Sequence, residues 1–350
     1  MWPSMRRWFK QTIGAEAPFF RRRETGTSRF LEGRFKDAQD TVHFGLLRRH
    51  LELGYRLYLP SGSSPRDSLP LLVMLHGCTQ DPLSFAEGTR MNGLAEESRC
   101  AVLYPEQSRR SNPQRCWNWF EPASLEGQGE AAMIARLIEQ ITVRRPIDPR
   151  RVYVVGMSAG GAMACILAVC HSRLFAACAT HSGLMYGAAN SPLQAMEAMR
   201  SGPSAAAIEA AGRLVHEADE GAVTVPTLVI HGDRDTRVNP VNADRVIEQL
   251  KARAEFLNPI AGALFASNER RIDGGGRSYR QQDYTQQGRL VLREIVVGGL
   301  GHAWSGGDAR HEFNDAQGPD ASRLILEFVM QFDREVGAIA ATRTGDGGGD

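Results

Sequence analysis

Val152-Tyr153-Val154-Val155-Gly156-Met157-Ser158-Ala159-Gly160-Gly161 is the stretch around which the rest of the chain is organised. The apolar run from Val152 to Val155 predicts a buried strand, and the small-residue run from Ala159 to Ala168 predicts a helix directly behind it. Between them lies Gly-x-Ser-x-Gly. A strand that turns at once into a helix forces the turn residue into a strained conformation, and only small neighbours tolerate the crowding. Gly156 and Gly160 therefore leave Ser158 standing at the end of the sheet, a nucleophile candidate.

Strand and helix patterns alternate outward from this turn. Upstream, Val42 to Phe44 and Leu51 to Tyr58 read as a hairpin at a sheet edge, and Leu69 to Leu75 is an apolar run suited to a central parallel strand. That run empties into His76-Gly77-Cys78-Thr79-Gln80, followed by a helix expected over Ser84 to Ser98 and a strand over Ala101 to Tyr104. A long loop from Pro105 to Gly129 carries Cys116-Trp117-Asn118-Trp119-Phe120, and loops of such length in compact domains are often functional.

Downstream, Phe175 to Thr180 and Thr227 to Ile230 read as strands, the second ending in His231-Gly232-Asp233-Arg234-Asp235. The alanine-rich stretch between them predicts helices and a candidate cap over residues 186–225. After a helix from Pro240 to Arg253, a polar, glycine-rich segment runs to Gln287, and Leu290 to Val297 is the last expected strand. It ends in Gly298-Gly299-Leu300-Gly301-His302-Ala303-Trp304-Ser305-Gly306-Gly307, ahead of a closing helix from Ala321 to Phe332. This alternation predicts an α/β fold: one doubly wound, mostly parallel sheet with helices on both faces. The expected division is an N-terminal extension over residues 1–40, loosely docked or partly disordered, a catalytic domain over 41–337 and a flexible tail over 338–350.

With 41 basic and 40 acidic residues, no global field steers the chain toward nucleic acid. No apolar run is long enough to span a bilayer as a helix, so a soluble protein is expected. Trp2, Met5, Phe9 and Ile13 could line one side of a short helix, with Arg6, Arg7 and Lys10 elsewhere. No continuous apolar core or cleavage site follows, so this is a poor secretory signal and a cytoplasmic location is expected. Six cysteines in so long a chain do not suggest a disulfide scaffold, most being expected in the core, and their spacing suggests no zinc; neither metal nor cofactor is expected.

In an open parallel sheet the reactive groups sit beyond the carboxyl ends of the strands. Three strand ends here offer a Ser, an Asp and a His in that order, the order of the α/β-hydrolase fold. Of nine histidines, only His302 and His311 follow the last expected strand, and His302 alone sits in the glycine-rich loop directly after it. For the acid, Asp235 lies past the turn where a side chain can reach the imidazole, whereas Asp233 is read as an Asx-type turn residue bonding local backbone. The oxyanion hole needs two backbone donors. Ala159, after the nucleophile, supplies one, and Cys78, after Gly77, the other.

These motifs together resemble the polyhydroxybutyrate depolymerase family of esterases, itself similar to feruloyl and acetylxylan esterases, and the likeness runs from about Tyr55 to Phe332. The resemblance implies a serine esterase with Ser158, Asp235 and His302 as triad, and Cys78 with Ala159 at the oxyanion hole. It also implies that Trp117, Trp119 and Trp304 border an acyl cleft, and that Cys78 and Cys116 lie near each other, a bond between them requiring an oxidising compartment. The chain departs from secreted members in showing no convincing signal and no linker to a polymer-binding domain, so polyester oligomers or small esters inside the cell are the expected substrates. Two other readings stay open: a serine peptidase on the same fold, and a binding protein that has lost its chemistry. No triad member is missing, which speaks against the second.

Overall fold

The computed structural model describes residues 29–44, 47–216, 221–273 and 276–334, the side chains of 29, 37–44, 47–51 and 214–216 excepted. The basic aromatic N-terminus and the tail over 338–350 lie outside the described residues. Strand β1 (Arg29–Phe44) pairs antiparallel with β2 (Leu47–Leu59), so the sheet begins at Arg29, ahead of the hairpin expected from Val42. Gly33 lies opposite Tyr55 in this pair, where a Cβ would stand 2.3 Å from the Tyr55 ring.

The all-buried β3 (Leu69–Leu75) is the central strand that its continuous apolar run predicts. The helix expected over Ser84 to Ser98 is two: α1 (Pro82–Thr89) and α2 (Met91–Glu97), broken where Arg90 turns left-handed at φ 56°. After β4 (Ala101–Glu106) come the short α3 (Pro122–Leu125) and the long α4 (Gly129–Arg144). Next follow β5 (Ile147–Met157), α5 (Ala159–Cys170) and β6 (Ala177–His181).

Two helices, α6 (Pro192–Ser201) and α7 (Ala205–His216), occupy the region expected as a cap. β7 (Thr227–Gly232) and α8 (Val241–Leu257) come after them. Helix α6 is tied down to α8, with Asn242 Nδ2 donating to Ala198 O at 3.0 Å and Asn239 N to Met199 O at 2.7 Å. The polar segment before the last expected strand is itself largely sheet: β8 (Phe265–Ala266), β9 (Arg270–Asp273) and β10 (Ser278–Gln286) precede β11 (Arg289–Val297). Two short strands, β12 (Trp304–Ser305) and β13 (Asn314–Asp315), pair with each other, and α9 (Ala321–Val329) follows.

The large sheet runs β1-β2-β4-β3-β5-β6-β7-β11-β10-β8, parallel from β4 through β11 and antiparallel at both edges. Alternate residues of each strand point to opposite faces, and the core divides accordingly. Leu71, Val73, Leu75, Val152 and Val154 pack with α4, α5 and α8 on one face; Leu72, Met74, Tyr153, Val155 and Met157 pack with α1, α2 and α9 on the other. The parallel strands all finish at the same end, and the loops that leave them there hold the chemistry. Among the described residues no helix is long and apolar enough to cross a membrane.

Candidate active site

Ser158 sits at φ 56° and ψ −121°, outside the regions that L-residues favour, with its N–H donating to His181 O at 2.9 Å. The flanking glycines are required by contact. A Cβ on Gly156 would lie 2.0 Å from Gly160 O, and one on Gly160 would lie 2.1 Å from Leu75 O. The elbow is thus wedged between β3 and α5, and the serine side chain is turned out at the strand end.

His302 reaches it from the loop after β11. Its Nε2 lies 3.0 Å from Ser158 Oγ, and its Nδ1 lies 2.7 Å from Asp235 Oδ2. With Nδ1–H donating to the carboxylate, Nε2 is left to accept the serine proton. Asp235 Oδ1 accepts the backbone N–H groups of Arg237 and Val238, both at 2.9 Å. Burial alone would raise the Asp235 carboxyl, but the hydrogen bond and charge of His302, then Val238 N–H and His231, hold it below the usual carboxylate range. His231 packs behind this turn, its Nε2 2.9 Å from Val238 O.

Asp233 does not make the local turn bond that the sequence suggests. Its Oδ1 accepts Gly299 N–H at 2.6 Å, which ties the loop after β7 to the loop that carries His302. The two loops also share Arg234 N to Leu300 O at 3.0 Å, and Gly232 is needed because a Cβ there would stand 2.2 Å from Leu300 O. The loops carrying Asp235 and His302 are therefore stitched together by backbone and by the Asp233 carboxylate.

Gly77 brings the loop after β3 beside the elbow: a Cβ on it would lie 3.5 Å from Ser158 Cβ. This places Cys78, one residue on, and Ala159, first in α5, on either chain next to the serine. The first N–H groups of a helix have no partner within it, which leaves Ala159 N–H free for a ligand. The loop is clamped from above by the aromatic segment. Cys78 is disulfide-bonded to Cys116 with their Cα atoms 4.2 Å apart, Thr79 N donates to Gln114 O at 2.6 Å, and Trp117 Nε1 donates to His76 O at 3.1 Å. His76 Nε2 accepts Gln107 N–H at 3.2 Å, so Nδ1 carries the proton and donates to Gly77 O at 2.8 Å; burial holds this ring neutral, its pKa down at about 4.

The tryptophans correct an expectation. Trp117, Trp119 and Trp304 are 0%, 3% and 1% exposed, so none offers a ring face to a substrate. Trp117 and Trp119 pack the long loop onto the core, and Trp304 stacks on His181 with its Nε1 donating to Ser322 Oγ at 3.0 Å. Apolar loop residues were a sign of anchoring, not of a cleft.

His181 is the residue whose part the sequence did not reveal. Its carbonyl holds Ser158 N–H, while its ring Nε2 accepts Ser305 N–H at 3.3 Å, three residues past His302. Nδ1 then carries the proton and faces Ser182 Oγ at 3.2 Å. Burial, with His231 and His302 nearby, pushes its pKa down to about 3, so it stays neutral and serves as an acceptor. Its position at a strand end, in His181-Ser182-Gly183, was the available signal.

The chain is similar in sequence and fold to several known proteins. The chain is 35% identical over 196 residues to poly(3-hydroxyalkanoate) depolymerase C of Paucimonas lemoignei, covering 55% of this chain and 46% of that protein. It is 25% identical over 326 residues to the poly(3-hydroxybutyrate) depolymerase of Ralstonia pickettii, covering 89% of this chain and 62% of that protein. The chain thus spans less than two thirds of the length of these two curated relatives. The structure of an acetyl xylan esterase from Aspergillus awamori superposes with a TM-score of 0.61 at 18% identity, over 79% of this chain and 94% of that one; the shared fold is the α/β-hydrolase fold. The model of the family described as Esterase PHB depolymerase matches residues 53–273, which take in the loop after β3, the elbow and Asp235, while His302 is placed by the geometry alone. With more than half of its length matched in this way, the chain belongs to the esterase PHB depolymerase family.

Proposed function

We propose that the protein is a serine carboxylic-ester hydrolase that works through an acyl-enzyme, with polyester or hydroxyalkanoate oligomers as its substrates. The observation that carries this reading is the hydrogen-bonded chain from Asp235 through His302 to Ser158 at the strand ends. His302 takes the Ser158 proton as Oγ attacks the ester carbonyl and returns it to the departing alcohol; Asp235 keeps the imidazole in the required tautomer and stabilises its cation. The N–H groups of Cys78 and Ala159 receive the charge that develops on the carbonyl oxygen. Water then releases the acid by the same relay.

The substrate class follows from the relatives named as depolymerases. A second reading, small or carbohydrate esters of the feruloyl or acetyl type, is favoured by relatives such as the feruloyl esterase B of Thermothelomyces thermophilus, 30% identical over 74% of that protein's length. For location, the Cys78–Cys116 disulfide supports an oxidising compartment in place of the cytoplasm expected from the sequence. Cell fractionation tests it: recovery in a reducing compartment with both thiols free contradicts this location.

The function is tested with hydroxybutyrate oligomers, p-nitrophenyl esters, methyl ferulate and acetylated xylan, presented to the wild type and to Ser158→Ala. The reading expects oligomer hydrolysis that falls by about 10⁴-fold or more in the variant. Preference for ferulate or acetylxylan moves the substrate to the second reading, and full activity in Ser158→Ala ends both.

A further inference from the structure

Among the described residues, one cation near His302 makes no ion pair with a carboxylate. Arg237 follows Asp235 in the loop after β7, where its own N–H donates to Asp235 Oδ1, and its side chain is exposed. The guanidinium lies over the Phe313 ring, 5.2 Å from its centroid. Phe313, half-buried, meets the His302 ring edge-on with centroids 6.2 Å apart. Phe313 O accepts Trp304 N–H at 2.7 Å, two residues past His302. The loop bearing the acid thus holds the cation, and the segment paired to the base-bearing loop holds the ring beneath it.

Among the described residues Arg237 has no ion pair, whereas Arg277 and Arg310 are held by Asp315 and Asp308 at 2.8 and 2.6 Å. A guanidinium resting on an aromatic face keeps its N–H edges free for a planar anion. Its place relative to His302 gives that anion a role. The imidazole must hand its proton to the departing alkoxide, so the leaving alcohol lies against the His302 ring, which Phe313 borders.

We propose that Arg237, seated on Phe313, binds a carboxylate carried by the leaving alcohol, so that the preferred substrates are oligoesters of hydroxyacids with a free carboxyl end. This inference rests on the serine-esterase reading above. In the acylation step Ser158 Oγ bonds to the carbonyl carbon of the penultimate unit, and the bond from that carbon to the terminal unit's hydroxyl oxygen breaks. The serine proton passes through His302 Nε2 to that oxygen, and the terminal unit leaves as a hydroxycarboxylate. Water then hydrolyses the acyl-enzyme, restoring Ser158 and releasing an oligomer shorter by one unit, whose own new carboxylate can take the same place. Phe313 offers an apolar wall to the carbon chain between the hydroxyl and the carboxylate.

The test compares a hydroxybutyrate dimer with its methyl ester, each followed by cleavage of the ester between the two units at early times, so that the substrates differ in the terminal charge. The wild type is expected to favour the free acid about fivefold in kcat/KM, chiefly through KM, with the preference shrinking as salt is added. In Arg237→Gln the ratio falls to about one or below, and Arg237→Lys, which keeps the charge without the planar fork, lies between. Arg66→Gln removes an exposed charge at the opposite end of the strands and keeps the wild-type ratio. A wild type indifferent to the carboxylate, or an Arg237→Gln variant with an unchanged ratio, overturns the inference while Ser158-dependent turnover of the methyl ester leaves the esterase reading standing. Turnover of neither substrate, or of both by Ser158→Ala, removes the inference together with that reading.

Discussion

Ser158 holds a backbone conformation that costs about 1–3 kcal/mol in isolation, and the surrounding contacts of Gly156, Gly160 and His181 hold it there. This was legible in the sequence because Gly-x-Ser-x-Gly leaves no other way for β5 to enter α5. The pairing of Asp235 with His302 was legible from their places after two strand ends, but the part of Asp233 was not, since its partner Gly299 lies 66 residues away. The two aspartates separate in a kinetic assay. Asp235→Asn, which offers His302 an amide in place of an anion, should lower kcat by about 10³–10⁴-fold. Asp233→Asn keeps an acceptor for Gly299 N–H and should cost less than about tenfold; the reverse order would move the acid to Asp233. His181→Phe preserves the stacking on Trp304 but leaves Ser305 N–H buried without an acceptor. Its kcat should fall by about tenfold with KM little changed, and His181→Gln, which can accept that bond, should recover part of the loss. Equal activity in His181→Phe and the wild type would mean that the ring does not position His302.

Among the elements, those that declared themselves have one period throughout. The all-apolar β3 and the small-residue α5 could be read directly. β10 could not: its buried residues are Tyr279, Gln281, Tyr284 and Gln286, so two of its four buried positions are polar, each glutamine held by a side-chain hydrogen bond, and no apolar alternation shows. The break at Arg90 was hidden as well, because no glycine marks that left-handed turn. The loop after β3 is pinned at both ends, by the disulfide and by the Asp81 cap of α1, whose carboxylate accepts Leu83 and Ser84 N–H at 3.0 and 2.9 Å. Closing the 38-residue span between Cys78 and Cys116 is worth roughly 4 kcal/mol by loop-closure entropy. Reduction should therefore loosen the Cys78 donor and lower kcat by about tenfold or more, reversibly on reoxidation. Cys100, Cys165 and Cys178 are buried and their thiols pushed up, the first two to about 12, so they stay unreactive in the folded protein. Unchanged turnover after verified reduction of Cys78 and Cys116 would show that the clamp does not hold the donor.

Across the whole molecule, the parallel strand order and the shared strand end follow from alternating patterns along the chain. Which side chains the fold buries does not follow from those patterns, as the three tryptophans make plain. Burial also sets how the protein responds to acid. His76 and His181 remain neutral down to about pH 4 and 3, whereas in the unfolded chain such rings take up a proton near 6.5. Their contribution is thus fully present above pH 6.5 and is lost as pH falls toward 4, by up to about 1.4 kcal/mol per unit for each ring. Asp235, held low in the fold, adds to this loss only below the ordinary carboxylate range of about 3.9. Denaturant unfolding followed from pH 7 to 4.5 should show stability declining across that window; a flat profile would place protonated or exposed rings at these positions. The central claim is that Ser158 is a nucleophile activated by His302, and intact-mass and peptide analysis after treatment with a phosphonate ester tests it most directly. One adduct on Ser158, absent in Ser158→Ala and formed far more slowly in His302→Gln, is the predicted result; an adduct on another residue, or equal labelling of wild type and Ser158→Ala, would contradict it.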